Sequence, residues 1–208
     1  MWKTLRAGIG IRNRKAGEIT PCRGLRWVLL WAVVTCCLAS CTTTYSIYYS
    51  DMLRGKSALQ LKDYEKARTS FEGAAAANKD ARSLAYLATA EYKLNHLDKA
   101  GIYAQESLKL APYGYYSLRA RGYDALIQLR RDRVKGLSAL QDYVNWYQLR
   151  DPMMSIDDIR VMMEKKEIDL VTLERLIDEQ AGQYETDIED YQDLRTGFYE
   201  RWSGGGRF

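Results

Sequence analysis

A chain of 208 residues with 47% hydrophobic and 28% charged side chains is long enough for a single domain with a real core. Its formal net charge of +4 is misleading, because residues 1–40 carry seven Lys or Arg against one Glu, leaving 24 basic and 26 acidic side chains for the other 168. The basic balance belongs to that leading stretch, and a nucleic-acid partner loses its main support.

Residues 1–40 read as a removable leader. A basic stretch precedes an apolar run from Trp27 to Ala39. At 13 residues the run is short of the roughly 20 needed to span a bilayer, but it has the length of a secretory core. It closes in Leu38-Ala39-Ser40-Cys41, which resembles the lipobox of bacterial lipoproteins. That resemblance implies that Cys41 takes a diacylglyceryl thioether, becomes the new N-terminus and is acylated again. Each buried methylene then adds roughly 0.8 kcal/mol to a firm membrane anchor. The alternative is a plain signal peptide that a cysteine happens to follow. The stretch before Trp27 is long for a leader, which an upstream start codon explains. Cys22, Cys36 and Cys37 leave with the leader and Cys41 is lipidated, so the mature domain holds no thiol for a disulfide, a metal or a nucleophile.

From Thr42 to Ser50 the sequence TTTYSIYYS is polar with interleaved tyrosines, and residues 41–50 are expected to be a lipidated tether. Residues 51–150 are helical in pattern and repeat. Asp63-Tyr64-Glu65-Lys66-Ala67 and His96-Leu97-Asp98-Lys99-Ala100 place Ala67 and Ala100 thirty-three positions apart. In the first unit Gly55 lies twelve before the anchor, Phe71 four after it and Ala74 seven after it. In the second, Ala88 lies twelve before, Ala104 four after and Pro112 twelve after. Small residues let two antiparallel helices cross closely, Gly55 against Ala67 and Ala88 against Ala100. Phe71 fills the gap to the next unit, and Pro112 with Gly114 stops the second helix. These spacings resemble the tetratricopeptide repeat (TPR) family over about 70 residues. A third unit is poorer: Gly122 takes the small position, but twelve residues on stands Val134, with Gly136 two further. Either the unit is degenerate or Arg130 to Arg133 forms a longer turn before a helix from Leu137 to Leu149.

Asp151-Pro152 breaks the pattern. Ser155 with Asp158 reads as a capping box opening a helix through about Lys166, Asp169 opens another at Leu170, and a last helix is apolar at Tyr184, Ile188, Tyr191, Leu194, Phe198 and Trp202. Residues 151–208 form an acidic segment, net −7 over 155–208 against +5 over 41–154. Its apolar stripe fits a helix lying on a surface, with its own repeat body as the expected partner, capping the open end of the stack. The fold expected is therefore all-α: a short α-solenoid of TPR-like hairpins with C-terminal capping helices.

Chemistry for catalysis is thin. His96 is the only histidine and sits in a turn, where a solvent-facing role is expected. Without a second histidine or a mature thiol, neither a zinc site nor a Cys-His pair can be built, no glycine-rich phosphate loop occurs, and no cofactor is expected. Asp157 with Asp158, and Asp187 with Asp190, are carboxylate pairs on helices expected to be exposed, where solvation is the ordinary role. The resemblance to TPR proteins implies instead a concave groove lined by the first helix of each unit. Carried over by position, this groove holds Met52, Lys56, Leu59 and Gln60, then Arg82, Thr89, Tyr92 and Lys93, then Tyr116, Arg119, Tyr123 and Leu126. Its basic and aromatic character suits an acidic peptide segment or the free C-terminus of another protein. The acidic tail is a rival for the same surface.

The function expected is that of a periplasm-facing envelope lipoprotein acting as a protein–protein scaffold. Thr42 after the cysteine, where aspartate favours inner-membrane retention, points to the outer membrane. The alternatives are a solute-binding accessory of a transporter, which needs a deep apolar pocket, and a peptidoglycan-active enzyme working through Asp157 or Asp158.

Overall fold

A computed structural model describes residues 44–148 and 155–194 of the protein. Cys41, the leader, and Phe198 and Trp202 of the terminal stripe lie outside the described residues. Contacts divide the polypeptide between Cys41 and Thr42, and every described residue falls in the second unit.

The described residues are predominantly helical, with no strand among them. In sequence order the helices are α1 (residues 44–60), α2 (Tyr64–Ala77), α3 (Ala81–Lys93), α4 (Leu97–Leu110), α5 (Ser117–Arg131), α6 (Arg133–Gln148), α7 (Ile156–Lys165) and α8 (Leu170–Leu194). Neighbours pack as antiparallel hairpins, α1 with α2, α3 with α4 and α5 with α6, and α8 lies on α5. The expected tether is already helix from residue 44. Tyr48 is buried there and donates its hydroxyl to Asp80 at 2.7 Å, so tertiary packing orders a stretch whose polar composition reads as loose.

The repeat is visible in the backbone. Lys62 and Asn95, separated by the same thirty-three positions, both adopt left-handed conformations (φ 60° and 65°). Each ends its helix by the same closure: Asp63 N–H reaches Ala58 O and His96 N–H reaches Glu91 O, both at 2.9 Å. Between the units Asp80 caps α3, its carboxylate accepting from Ser83 N–H at 2.8 Å while the Ser83 hydroxyl accepts from Asp80 N–H at 3.3 Å.

Helix crossings depend on small residues, though not always in the expected pairs. A Cβ on Gly55 would stand 2.4 Å from the Phe71 ring, so Gly55 makes room for Phe71. The third hairpin departs from the spacing of the first two. A single residue, Asp132, joins α5 to α6 and caps the latter, its carboxylate accepting from Val134 N–H at 2.9 Å. The shorter joint moves the crossing residue along by two: Gly136 lies against the Leu129 backbone, 2.4 Å from where a Cβ would sit, while Val134 points outward. No long turn forms at Arg130 to Arg133.

Two apolar clusters fill the interior. Tyr48, Met52, Phe71, Tyr86 and Leu87 form the first, with smaller neighbours. Leu118, Tyr123, Leu126, Leu140, Tyr143, Ile159, Leu173, Ile177, Tyr184 and Ile188, with others, form the second. The C-terminal helices are thus part of the main core. Two expectations there change. Ser155 precedes α7 in a left-handed conformation (φ 69°) with no side-chain capping bond, and α8 is one continuous helix of 25 residues rather than two. Asp169 opens it as expected, accepting from Val171 N–H at 3.1 Å.

Candidate functional site

The first helix of each hairpin contributes basic and aromatic side chains to one face. Lys56 and Gln60 come from α1, Arg82, Tyr86, Thr89 and Lys93 from α3, and Tyr116 and Arg119 from the start of α5. On α3 the steps are 4, 3 and 4, so these four share one helical stripe. α8 lies along this face. Its carboxylates Glu174, Asp178, Glu185 and Glu189 form a ridge beside its buried apolar stripe.

The ridge pairs with the face group by group. Lys93 donates to Asp178 at 2.6 Å and to Glu174. Arg119 forms a fork with Glu185, Nε to Oε1 at 2.8 Å and Nη2 to Oε2 at 3.0 Å, with Asp178 3.7 Å from its other nitrogen. Glu189 is reached from three elements at once: Lys56 at 2.6 Å, Arg82, and the Tyr116 hydroxyl at 3.2 Å. Tyr86 and Tyr123 complete the set by donating to Glu185 and Asp178. Arg82 and Lys93 are eleven residues apart on α3, as are Asp178 and Glu189 on α8, so two antiparallel helices close both pairs in one register.

The aromatic rings carry part of the charge. The Arg119 guanidinium stands 4.5 Å from the Tyr86 ring centroid, with the Lys56 ammonium 5.3 Å from the same ring. Arg82 stands 5.0 Å from the ring of Tyr116. Burial, and then Glu185, push the Tyr86 hydroxyl well above the ordinary tyrosine value, and burial with Asp178 does the same to Tyr123. Both phenols are therefore fixed donors to carboxylates. For Lys93, burial works against the charge, but Asp178 and Glu174 outweigh it and hold the ammonium above the ordinary lysine value. Glu189 is the mirror case: burial opposes its charge, and Lys56 and Arg82 overcome that and hold its carboxyl below the ordinary value.

The expected groove residues fall into three groups. Lys56, Leu59, Gln60, Thr89, Lys93 and Arg119 line a cleft of about 400 Å³ that remains between α1, α3 and α8. Arg82 and Tyr116 lie at the Glu189 end of the same face. Met52, Tyr92, Tyr123 and Leu126 are core residues instead. Tyr123 is fully buried under α8, and Tyr92 packs edge-on against it, with ring centroids 5.3 Å apart. Burial and the nearby Glu174 push the Tyr92 hydroxyl up to about 12. Transferring positions from a repeat pattern assumes an open concave face; here Tyr92, Tyr123 and Leu126 join the core that α8 completes, and Met52 is buried in the first apolar cluster.

The cleft exists because α8 packs closely on α5 but reaches α1 and α3 through long side chains. Gly122 of α5 admits Ile177 of α8, whose Cγ2 would be 2.4 Å from a Cβ there. Toward α1 and α3 the gap is spanned by lysine and arginine stems. On the cleft wall Gly182 of α8 has nothing within 4 Å of its missing Cβ, so no packing demand explains that glycine. Tyr86 is absent from the groove residues carried over by position. The 4-3-4 step from Arg82 through Thr89 to Lys93 passes through it and is the signal that finds it.

The other candidates sit apart. His96 begins α4 half-exposed, but its Nδ1 lies 2.7 Å from Oε2 of the buried Glu91, so the turn histidine is tied to the interior. Asp157 pairs with Arg160 at 2.6 Å on the exposed side of α7, and Asp158 is exposed beside it. The Asp190 side chain lies outside the described residues. Among the described residues no three His, Cys, Asp or Glu side chains gather as metal ligands, and no helix is long and apolar enough to cross a membrane. No protein-family model matches the sequence, and no curated protein matches it.

Proposed function

We propose that this protein is a bacterial envelope lipoprotein, anchored through Cys41 to the outer membrane, whose TPR-like body is a non-catalytic scaffold for an acidic segment of another envelope protein. The observation that carries the reading is the intramolecular one: Lys56, Arg82, Lys93 and Arg119, drawn from three helices, already hold an acidic amphipathic helix with the help of three tyrosine hydroxyls. A surface that binds one such helix has the chemistry to bind another.

The place left for a partner is the cleft beside α8, where Lys56, Lys62, Gln60 and Thr89 face Gly182 and Thr186. The paired hairpins and the matching Lys62 and Asn95 turns support the TPR-like description. An open, charge-lined cleft favours a protein segment over a small solute, which needs an enclosed apolar pocket.

Crosslinking in intact cells tests the reading. The parent protein is compared with a Lys56→Ala/Lys62→Ala variant and with a control changed at the distant, exposed Val134→Ala. Arg119 and Tyr123 are left alone, because both are interior and their loss would disturb the fold. One envelope protein captured by the parent and the control but lost from the cleft variant is the expected result. An identical catch from all three removes the cleft from the proposal.

A further inference from the structure

Among the described residues, the outer side of α1 is a surface that the pairing of hairpins leaves uncovered. Tyr49 and Leu53 lie on it four residues apart, with Tyr45 packed on Tyr49 at 4.6 Å between ring centroids, and Leu61 follows just past the end of the helix. Leu53 is 64% exposed and Leu61 77%. Beside them is a depression of about 320 Å³ lined by Leu53, Ala58 and Leu61 together with the charged side chains of Arg54, Asp63 and Lys66. Elsewhere among the described residues, Leu110, Tyr113 and Tyr115 form a second exposed group at the connection between α4 and α5, while Ile102, Val134, Val161 and Val171 are dispersed over α4, α6, α7 and α8.

We infer that this face of α1 rests on the lipid bilayer that holds the protein. The inference rests on acylation of Cys41. Cys41 is four residues from Tyr45, and four residues reach at most about 14 Å even when fully extended. An acylated Cys41 therefore keeps the first turn of α1 at headgroup depth whatever the rest of the body does. At that depth tyrosine is the favoured side chain, its ring among the acyl chain ends and its hydroxyl in water, and leucine gains by leaving water. Arg54 and Lys66 suit the phosphates beside them. The opposite side of α1 is committed to the core through Tyr48, Met52 and Ala58, so the helix cannot roll to hide the band. A short leash attached to one end of an amphipathic helix, with its apolar side outward, fixes which side faces the membrane.

The mature protein has no thiol besides Cys41, so a single cysteine can be placed and labelled. Acylated Leu53→Cys, Leu61→Cys and Val134→Cys proteins carrying a nitrobenzoxadiazole dye are reconstituted into phosphatidylethanolamine/phosphatidylglycerol vesicles containing a nitroxide lipid. All three sites are exposed, so folding is preserved. The expected result is blue-shifted emission and several-fold stronger lipid quenching at positions 53 and 61 than at 134. Equal quenching at all three, with the protein still bound to vesicles, overturns the docking and leaves the anchor intact. Energy transfer between labelled copies without lipid quenching assigns the face to a second copy and overturns it too. Absence of acyl groups on Cys41 by mass spectrometry removes the anchor, and this inference with it.

Discussion

Arg119 of α5 and Glu185 of α8 meet inside the protein in a two-bond fork, the arginine 6% and the glutamate 3% exposed. A buried pair of this kind adds little over an apolar replacement, yet losing one member strands the other. Glu185→Ala should therefore cost about 3 kcal/mol in urea unfolding, toward the low end of the usual range because Asp178 remains 3.7 Å from Arg119. The double variant Arg119→Leu/Glu185→Leu should recover most of that loss. A single variant within about 1 kcal/mol of the parent would show that the fork opens to water.

Acid should loosen the far end of α8 through Glu189. Its carboxyl in the folded protein titrates below the ordinary value of 4.5, so the stability it contributes is present above that value and is lost as pH falls through the folded one. Asp124 behaves oppositely: burial raises its pKa, and its contribution is present in acid and lost as pH rises. Comparing the parent with Glu189→Gln across pH 3 to 7 isolates the first effect. The gap between the two should be constant at neutral pH and close below about pH 4.5. A gap independent of pH refutes the assignment.

Two glycines should respond to alanine with opposite signs. Gly182→Ala meets nothing and gains helix propensity, up to about 1 kcal/mol, or roughly 2–4 °C in melting temperature. Gly55→Ala drives a methyl into the Phe71 ring and should destabilise by about 1–3 kcal/mol. Thermal melts read both, and a destabilising Gly182→Ala would mean that the cleft is filled in solution.

The halves of α8 should differ in local stability. Leu173, Leu176, Ile177, Tyr184 and Ile188 are buried, contributing about 10 kcal/mol at roughly 2 per side chain, so the helix is integral to the fold. The turn around Glu189 adds charged contacts to a single buried apolar side chain, Ile188. Glu189→Gln should speed amide hydrogen exchange over residues 186–190 and leave 170–178 unchanged. Uniform acceleration along α8 would mean that the helix opens as one unit.

Much of this architecture is legible in residue spacing. Ala67 and Ala100 carry the repeat period, and Pro112 and Gly114 the break after α4, because backbone and small-residue constraints are local. The sign of the charge split predicts that the acidic end meets the basic body. The pairs themselves are hidden, since Glu189 and Lys56 are 133 residues apart and no local pattern links them. Asp132 escapes notice for the converse reason: a one-residue joint leaves no stretch of turn residues to recognise. The burial of Tyr92 and Tyr123 is equally invisible, because whether a residue lines a groove or a core depends on what another helix covers.

The equal eleven-residue spans between Arg82 and Lys93 and between Asp178 and Glu189 act as a gauge. A single residue inserted into α8 between its two carboxylates turns everything beyond it by about 100° and lengthens the span by about 1.5 Å. Whichever end then stays seated, the other misses its cation, and the apolar stripe rotates out of the core with it. Exposed positions within each span can change in identity without disturbing this match, but the number of residues between the paired charges cannot.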